Sequence, residues 1–289
     1  MLHQIAIRLH LVTGKREKLH VAVQLLANCM ARARWQLTKR FRRIRRPVVH
    51  YYAVCWNEAA FLPFMLAHYE RFVDAFYIYD NGSTDASLDL MQAHPGCTAI
   101  HFESDGFNDR VHIDIKNTCW KQSRGKADYV VVCDMDEILY HPDMPRMLSE
   151  MRRNGYSIIH PQGYDMYSNT YPEYDNHRRI TELVRTGVRS DKYSKCVMFD
   201  PYRIVDIRYE PGCHQCHPTG IVHYSPDPEC KLLHYKNLGL EHLLTRTRQL
   251  AARLSDENIQ ARYGCEYLRN EETVAAEFEQ NLQLSENII

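Results

Sequence analysis

The sequence predicts an α/β protein built on a mostly parallel β-sheet. After residue 47, short runs rich in β-branched and aromatic residues alternate with segments of helical spacing. This alternation is typical of βαβ units, in which helices cover both faces of a parallel sheet. With 289 residues and 45% hydrophobic content, the chain is long and apolar enough for one large domain with its own core.

Residues 1–46 differ in charge from the rest of the chain. They contain twelve Lys or Arg residues and one acid, Glu17, whereas the whole chain has 36 basic and 36 acidic residues. Apolar residues recur at helical spacing between residues 19 and 37, which predicts a basic amphipathic helix. Such a helix can lie on an anionic membrane surface, bind a partner helix or pack on the body of the protein. No nucleic-acid partner is expected, because neither interleaved aromatic residues nor a known binding motif accompanies the charge.

The predicted elements alternate through the first part of the main domain. Apolar, β-rich runs predict strands at residues 48–56, 75–79, 98–102, 129–133 and 157–160. Helical spacing predicts helices at residues 58–71, 86–92, 112–124 and 144–153, and later at 238–254, after a further strand at 195–199. We therefore expect a basic helical arm (1–46), a main domain (47–255, with halves 47–140 and 141–255) and a C-terminal helical tail (256–289).

Polar clusters follow three of the predicted strands. Asn57 and Glu58 follow the first strand, Asp80 begins the run Asp-Asn-Gly-Ser-Thr-Asp after the second, and Asp134-Met135-Asp136 follows the fourth. The carboxyl ends of parallel strands share one edge of the sheet, which is where open α/β sheets bind ligands. Side chains alternate along a strand, so the two carboxylates of Asp-Met-Asp are expected to point the same way and to suit a hard divalent cation. The run after the second strand is also typical of a turn followed by a helix N-cap.

These motifs resemble those of the family 2 glycosyltransferases and their bacterial relatives. The shared pieces are Asn57-Glu58, Tyr-Asp-Asn-Gly-Ser-Thr-Asp and Ala-Asp-Tyr-Val-Val-Val-Cys-Asp-Met-Asp-Glu, in matching order over about residues 48–140 and more weakly to about 255. The resemblance implies a GT-A fold and a glycosyltransferase of the EC 2.4 class. It also implies a nucleotide-sugar donor, a glycan or lipid-linked acceptor, and a divalent metal cofactor, Mn²⁺ or Mg²⁺.

The resemblance assigns roles by position. Asp80 would accept a hydrogen bond from the nucleobase, and Asn57 with Glu58 would help to hold the nucleoside. Asp134 and Asp136 would bind the ribose and a metal ion that bridges the diphosphate. Such an ion neutralises the charge that develops on the leaving nucleoside diphosphate.

Residues in the second half are assigned with less support from motifs. His234 is expected on the metal, Lys236 and Lys195 near the diphosphate, and His214 facing the acceptor side of the cleft. A buried histidine beside a solvated lysine is the alternative for residues 234 and 236.

No motif identifies the base that would deprotonate the acceptor. The Glu-Asp pair usual in family 2 does not occur in the expected region, so the stereochemical outcome is open. Asp165, after the fifth strand, is the first choice, and Glu182 and Asp191 are alternatives.

Ten cysteines without an export signal predict reduced thiols and a cytoplasmic protein, peripheral on the inner face of a membrane. The segment Cys213-His-Gln-Cys216-His matches a haem-attachment pattern, but that attachment follows export. A zinc site is the alternative, and its ligands would come from Cys213, Cys216, Cys230 and either His217 or His223. A plain loop lining the acceptor side is the simpler interpretation.

Two other functions share the strand-end acids. A nucleotidyltransferase uses a similar two-carboxylate metal site, although that class usually has a Gly-rich, basic loop after the first strand. A catalytically inactive relative that binds sugar nucleotides is the second alternative.

Overall fold

A computed structural model describes residues 14–289. The helices are α1 (Lys15–Phe41), α2 (Leu62–Tyr69), α3 (Ser87–Ala93), α4 (Asp109–Thr118), α5 (Met144–Asn154), α6 (Ile180–Leu183), α7 (Leu240–Ala251), α8 (Asp256–Ala261) and α9 (Glu271–Leu284). The strands of the first half are β1 (Val49–Cys55), β2 (Ala75–Asp80), β3 (Cys97–His101), β4 (Tyr129–Val132), β5 (Glu137–Tyr140), β6 (Ile158–Ile159) and β7 (Gln162–Ser168). Those of the second half are β8 (Thr186–Arg189), β9 (Met198–Phe199), β10 (Ile204–Asp206), β11 (Thr219–Gly220), β12 (Tyr224–Ser225), β13 (Lys231–Leu238) and β14 (Glu286–Asn287).

The main sheet has seven strands in the order β12-β6-β9-β4-β1-β2-β3. Strands β3, β2, β1 and β4 run parallel, whereas β9 is antiparallel to β4 and β6. Strands β1 and β4, in the middle of the sheet, are almost wholly buried, as expected for parallel strands covered on both faces. The mostly parallel α/β sheet predicted from the sequence is therefore confirmed.

A second sheet, in the order β14-β8-β7-β13-β5, brings together residues that are distant in sequence. In β13, His234 lies opposite Glu137 of β5 on one side and opposite Asp165 of β7 on the other. Gly163 in β7 permits the close approach of the loop after β8, because a Cβ atom there would lie 2.2 Å from the carbonyl carbon of Tyr193. The sequence analysis did not predict this second sheet.

Among the elements whose bounds differ from the prediction, two differ for local reasons. Helix α4 begins at Asp109, before the predicted start, because the Asn108 side chain accepts hydrogen bonds from the amides of Arg110 and Val111. The strand predicted at residues 195–199 is reduced to the two residues of β9, and Lys195 before it is buried in an ion pair.

Helix α1 packs on the body of the protein through one face. Trp35 Nε1 donates to Asp128 Oδ1 over 3.2 Å, and Lys39 Nζ pairs with Asp128 Oδ2 at 2.5 Å. Asn28 donates to the carbonyl of Tyr202 over 3.1 Å. The basic segment is therefore docked on the main domain along this face.

The C-terminal residues also pack on the main domain. Val274 and Phe278 of α9 form a cluster with Tyr167 and Leu243, and β14 pairs with β8. The domain boundaries inferred from the sequence remain a prediction. None of the helices within residues 14–289 combines the length and the apolar character needed to cross a bilayer.

Candidate active site

A crevice of about 420 Å³ opens at the carboxyl ends of β1 and β4. Trp56 and Glu58 enter its wall after β1, and Asp134 and Asp136 enter it after β4. Its volume lies within the range of small-molecule sites. Helices α4 and α7 and the loops around residues 212 and 264 complete the wall.

Asp134 is held by two lysines. Lys116 Nζ donates to Asp134 Oδ1, and Lys195 Nζ lies 3.5 Å from Asp134 Oδ2 and 2.6 Å from Glu137 Oε1. Burial would raise the pKa of Asp134, but the two ammonium groups lower it well below its usual value. The protein thus keeps this carboxylate ionised, and the two lysines balance its negative charge.

Asp136 belongs to a chain of three groups centred on His234. His234 Nε2 lies 3.3 Å from Asp136 Oδ2, and His234 Nδ1 donates to Asp165 Oδ1 over 2.8 Å. The ring of Tyr193 stacks on the imidazole with 3.9 Å between centroids. Burial acts to lower the pKa of His234, but the two carboxylates raise it to about 9.

The donor atoms of this chain fit a divalent metal. His234 carries a proton on both ring nitrogens when no metal is bound, and Nε2 faces Asp136. A metal ion would replace the Nε2 proton, while Nδ1 would keep its hydrogen bond to Asp165, the arrangement typical of metal-binding histidines. One carboxylate and one imidazole suit Mn²⁺ among other divalent ions. The two carboxylates of Asp-Met-Asp do not converge here as expected, because the oxygens of Asp134 face the lysines. A metal-binding role for Asp134 remains a prediction.

A second cluster, formed by His141, Asp227 and Glu229, also brings possible ligand atoms together. His141 Nδ1 accepts the backbone N–H of Asp143 over 2.9 Å, so Nε2 carries the proton and donates to Asp227 Oδ2 over 3.1 Å. Both ring nitrogens are therefore occupied by hydrogen bonds. This cluster is a structural hydrogen-bond network.

Two arginines, one on α7 and one just after it, flank Trp56 at the other end of the crevice. The guanidinium of Arg253 lies 4.0 Å from the Trp56 ring centroid, and that of Arg246 lies at 5.1 Å. Arg246 Nη2 also donates to the Trp56 carbonyl over 2.8 Å and forms an ion pair with Glu58. Burial raises the pKa of Glu58 to about 7, although Arg246 acts in the opposite direction.

Asp80 lies outside the crevice wall. Its Oδ2 accepts the backbone amides of Gly82 and Ser83, each over 3.1 Å, as in a turn. Asp80 pairs in register with Cys55, whereas β4 reaches only the level of Tyr52, so the strand ends are staggered. Its buried Oδ1 has no hydrogen-bond partner among residues 14–289. The expectation that Asp80, Asp134 and Asp136 share one crevice is corrected, because Asp134 and Asp136 line the crevice wall and Asp80 does not.

Three other residues predicted for the site have side chains engaged by the protein itself. Asn57 Oδ1 accepts the amide of Thr84 over 2.7 Å, so Asn57 braces the loop after β2. Lys195 is buried beneath Asp134 and does not line the crevice. Asp165 lines a smaller cavity behind His234, which does not support the predicted role as acceptor base.

Lys236 and His214 do lie on the crevice wall. Lys236 Nζ is 4.6 Å from the Tyr267 ring centroid, and burial lowers its pKa. Burial also lowers the pKa of His214 to about 4, and its Nδ1 has no partner in the described part of the chain. The alternative bases are elsewhere, since Glu182 caps α6 together with Arg179 and Asp191 is exposed.

The zinc site considered from the sequence does not form among the described residues. Cys213 lies in one core cluster and Cys230 in another. His217 pairs with Glu210, and His223 Nδ1 contacts the carbonyl of Gly155. All ten cysteines are unpaired in the structure, and their reduced state remains a prediction.

Residues 53–208, more than half of the chain, match the family described as Glycosyl transferase family 2. The chain belongs to glycosyl transferase family 2. This membership confirms the predicted family, the GT-A fold and the glycosyltransferase class, EC 2.4. The nucleotidyltransferase alternative is thereby excluded. None of the curated protein sequences matches the chain.

Several solved structures are similar to this family 2 chain at low sequence identity. TarS 1-349 of S. aureus in complex with UDP is 10% identical with a TM-score of 0.42, and the match covers 81% of this chain and 69% of that one. S. aureus TarS is 11% identical with a TM-score of 0.39, and the match covers 72% of this chain and 40% of that one. A third structure is glucosyl-3-phosphoglycerate synthase from Mycobacterium tuberculosis in complex with Mn²⁺, UDP and glucosyl-3-phosphoglycerate. It is 16% identical with a TM-score of 0.25, and the match covers 41% of this chain and 44% of that one. The match to TarS spans only 40% of that protein's chain.

The sequence analysis of this family 2 enzyme missed several crevice residues that lie on helices. Asp109, His112 and Lys116 share one face of α4, at a spacing of three and four residues. On α7 and just after it, the crevice residues are His242, Arg246, Leu250 and Arg253. Polar residues repeated at this spacing on a helix that follows a strand would have been a usable signal.

Proposed function

We propose that this family 2 glycosyltransferase transfers a sugar from a nucleotide-sugar to a hydroxyl group of a glycan or lipid-linked acceptor, with a divalent metal ion in the crevice. The observation that carries the proposal is the chain Asp136–His234–Asp165, whose first two members line a 420 Å³ crevice. The anionic membrane surface expected for residues 1–46 belongs to the same proposal, because a lipid-linked acceptor lies at such a surface.

Asp136 and His234 would hold the metal, Mn²⁺ or Mg²⁺, and Asp165 would keep Nδ1 of His234 protonated. The bound ion would supply positive charge to the leaving nucleoside diphosphate. Lys236 lines the same crevice and adds positive charge that is fixed before the donor binds, while Lys116 in the same wall balances the charge of Asp134. Asp165 acts in this proposal as a positioning residue.

The nucleoside end of the donor would lie toward Trp56. Its indole, flanked by Arg246 and Arg253, offers an aromatic surface and cations in the same wall. Asp80 is the acceptor that we propose for a nucleobase N–H; its Oδ1 has no partner among residues 14–289, although it is buried and lies outside the crevice wall.

The test is a screen of UDP-, GDP- and dTDP-sugars with Mn²⁺ or Mg²⁺ that measures release of the nucleoside diphosphate. We expect metal-dependent release with one donor class in the wild type. Failure to bind or turn over any donor would favour the inactive-relative alternative and contradict the proposal.

Asp165→Asn separates a positioning role from a base role. Asn keeps a hydrogen-bond acceptor but lacks the charge that supports His234, so we expect the metal concentration at half-maximal activity to rise by about 10–100-fold. At saturating metal, kcat should stay within about threefold of wild type. A fall in kcat of more than about 10²-fold at every metal concentration would instead identify Asp165 as the acceptor base.

Donor binding should depend on pH through Glu58. Since the pKa of Glu58 is about 7, this carboxyl gains a proton as the pH falls from 8 to 6, and the crevice becomes more positive by up to one charge. A nucleotide-sugar keeps its diphosphate charge over this range, so we expect its Kd to fall on the order of threefold toward pH 6. Isothermal titration calorimetry at pH 6, 7 and 8 measures the effect. Glu58→Gln should abolish it, and an unchanged slope in that variant would assign the dependence to another group.

A further inference from the structure

Helix α1 presents a continuous row of large apolar side chains to solvent. The row, here called the outer stripe, consists of Leu19, Val23, Leu26, Met30, Leu37 and Phe41, which are between 60% and 90% exposed. Their spacings of three, four and seven residues place them on one face of the helix, along about 33 Å of its length. The opposite face is the one that packs on the body, through Val21, Leu25, Asn28, Trp35 and Lys39.

The exposure of the outer stripe is unusual for a helix on the surface of a globular protein. A helix of a globular protein normally buries its apolar face and exposes its polar one. Here the inward face already buries its own apolar residues, Val21, Leu25 and Trp35, and the outer stripe is a second apolar row that faces outward. Contiguous exposed apolar surface of this kind marks an interaction site.

Positive charge surrounds the outer stripe. Exposed cations at both ends of α1 and along it form no ion pair with any residue in the range 14–289; they are Lys15, Arg16, Arg34, Arg40, Arg42, Arg43 and Arg45. By contrast, the cations that help to dock the segment are each paired with an acid of the body, as Arg32 is with Asp200 at 2.8 Å. The charge beside the stripe is left free for a partner.

A basic cavity lies beside the C-terminal end of α1. Five arginines line this space of about 460 Å³, here called the arginine pocket: Arg45, Arg46, Arg71, Arg152 and Arg153. Phe72 and Leu148 contribute apolar surface to it. Arg45 follows Phe41 by four residues, so the end of the stripe and the pocket are at most about 14 Å apart along the chain.

We propose that the outer stripe and the arginine pocket form one docking surface for an anionic phospholipid bilayer. The apolar row would enter the boundary between headgroups and acyl chains. Arg45, Arg71 and Arg152, which form no ion pair within residues 14–289, would bind lipid phosphates, whereas Arg46 and Arg153 are paired with Asp74 and Glu150. A second copy of the chain fits less well, because symmetric pairing of the stripes would oppose like-charged flanks. The inference rests on the proposed function, which includes an anionic membrane surface for residues 1–46, and deepens it by naming the residues that would contact the lipid; it does not depend on the identity of the donor.

Flotation of the full chain with vesicles tests this surface. Vesicles of phosphatidylcholine with about one-third phosphatidylglycerol should carry the wild type at low salt, and pure phosphatidylcholine vesicles should carry much less. Leu26→Glu combined with Met30→Glu should weaken binding by at least about tenfold. Arg45→Gln combined with Arg152→Gln should weaken it by about fivefold for each charge removed.

Matched variants control for the chemistry of these changes. Ile259→Glu with Leu284→Glu adds the same acids at exposed apolar positions elsewhere, and Arg110→Gln with Arg248→Gln removes two exposed arginines elsewhere. Both controls should float like the wild type. The inference is overturned if the wild type stays unbound, if the stripe variants float normally, or if size-exclusion shows a dimer that the stripe variants dissociate. Release of nucleoside diphosphate, measured without vesicles, tests the donor chemistry separately, so either proposal can fail alone.

Discussion

Replacing Asp136 with Asn is expected to lower kcat/KM for nucleoside diphosphate release by about 10³-fold or more, which corresponds to about 4 kcal/mol of transition-state stabilisation. The substitution removes an anionic metal ligand and also the carboxylate that faces His234 Nε2 at 3.3 Å. The volume of the side chain hardly changes, so the fold should be preserved. Steady-state kinetics with the donor found in the screen, at several Mn²⁺ concentrations, measure the loss.

Asp89→Asn is the matched control, because Asp89 is an exposed carboxylate on α3, away from the crevice wall. It should retain wild-type activity. If Asp136→Asn kept more than about one-tenth of wild-type activity, the metal site proposed on Asp136 and His234 would be wrong.

Lys195→Met is expected to lower the free energy of unfolding by about 3–5 kcal/mol. Lys195 is 3% exposed and is the counter-ion of the fully buried Glu137, so its removal leaves an uncompensated carboxylate in the core. Equilibrium denaturation with urea measures the change. This is the largest stability effect that we expect from a single substitution near the crevice.

The double variant Lys195→Met with Glu137→Gln tests the cause of that loss. Gln removes the stranded charge and keeps an acceptor for the Asp134 amide, which donates to Glu137 Oε2 over 3.0 Å. We expect it to recover more than half of the lost stability. Lys192→Met, at a half-exposed lysine 3.7 Å from Glu266, should cost less than about 1 kcal/mol. Equal losses in the two lysine variants would show that burial of the ion pair does not determine the cost.

The sequence predicted the sheet well because parallel βαβ units leave a local signature. Strand β4 is an unbroken run of apolar and aromatic residues, and β1 is one apart from His50. The acids that follow them could be placed at one edge without knowledge of tertiary contacts. Membership of the family rests on the same segment, residues 53–208. Patterns that extend over a few neighbouring residues were sufficient for this part.

The details of the site depended on contacts that no local pattern encodes. Asp165 follows the fifth predicted strand, but β7 pairs with β13, and that register directs its carboxylate to His234. Lys195 was expected at the diphosphate, whereas it pairs in the core with Glu137, the first residue of β5 and three residues after Asp134. Asp80 stands apart because its carboxylate accepts the backbone amides of Gly82 and Ser83 in its own turn.

The anchoring of α1 through Asp128 has a mechanical consequence. Asp128 accepts hydrogen bonds from Trp35, Lys39 and the amide of Val48, and it directly precedes β4, the strand that leads to Asp134. A helix fastened at this point cannot swing on a tether, so an enzyme held on a bilayer by α1 would keep its crevice at a constant height and tilt above the lipid. Acceptors would then be selected partly by how far their hydroxyl groups extend from the membrane.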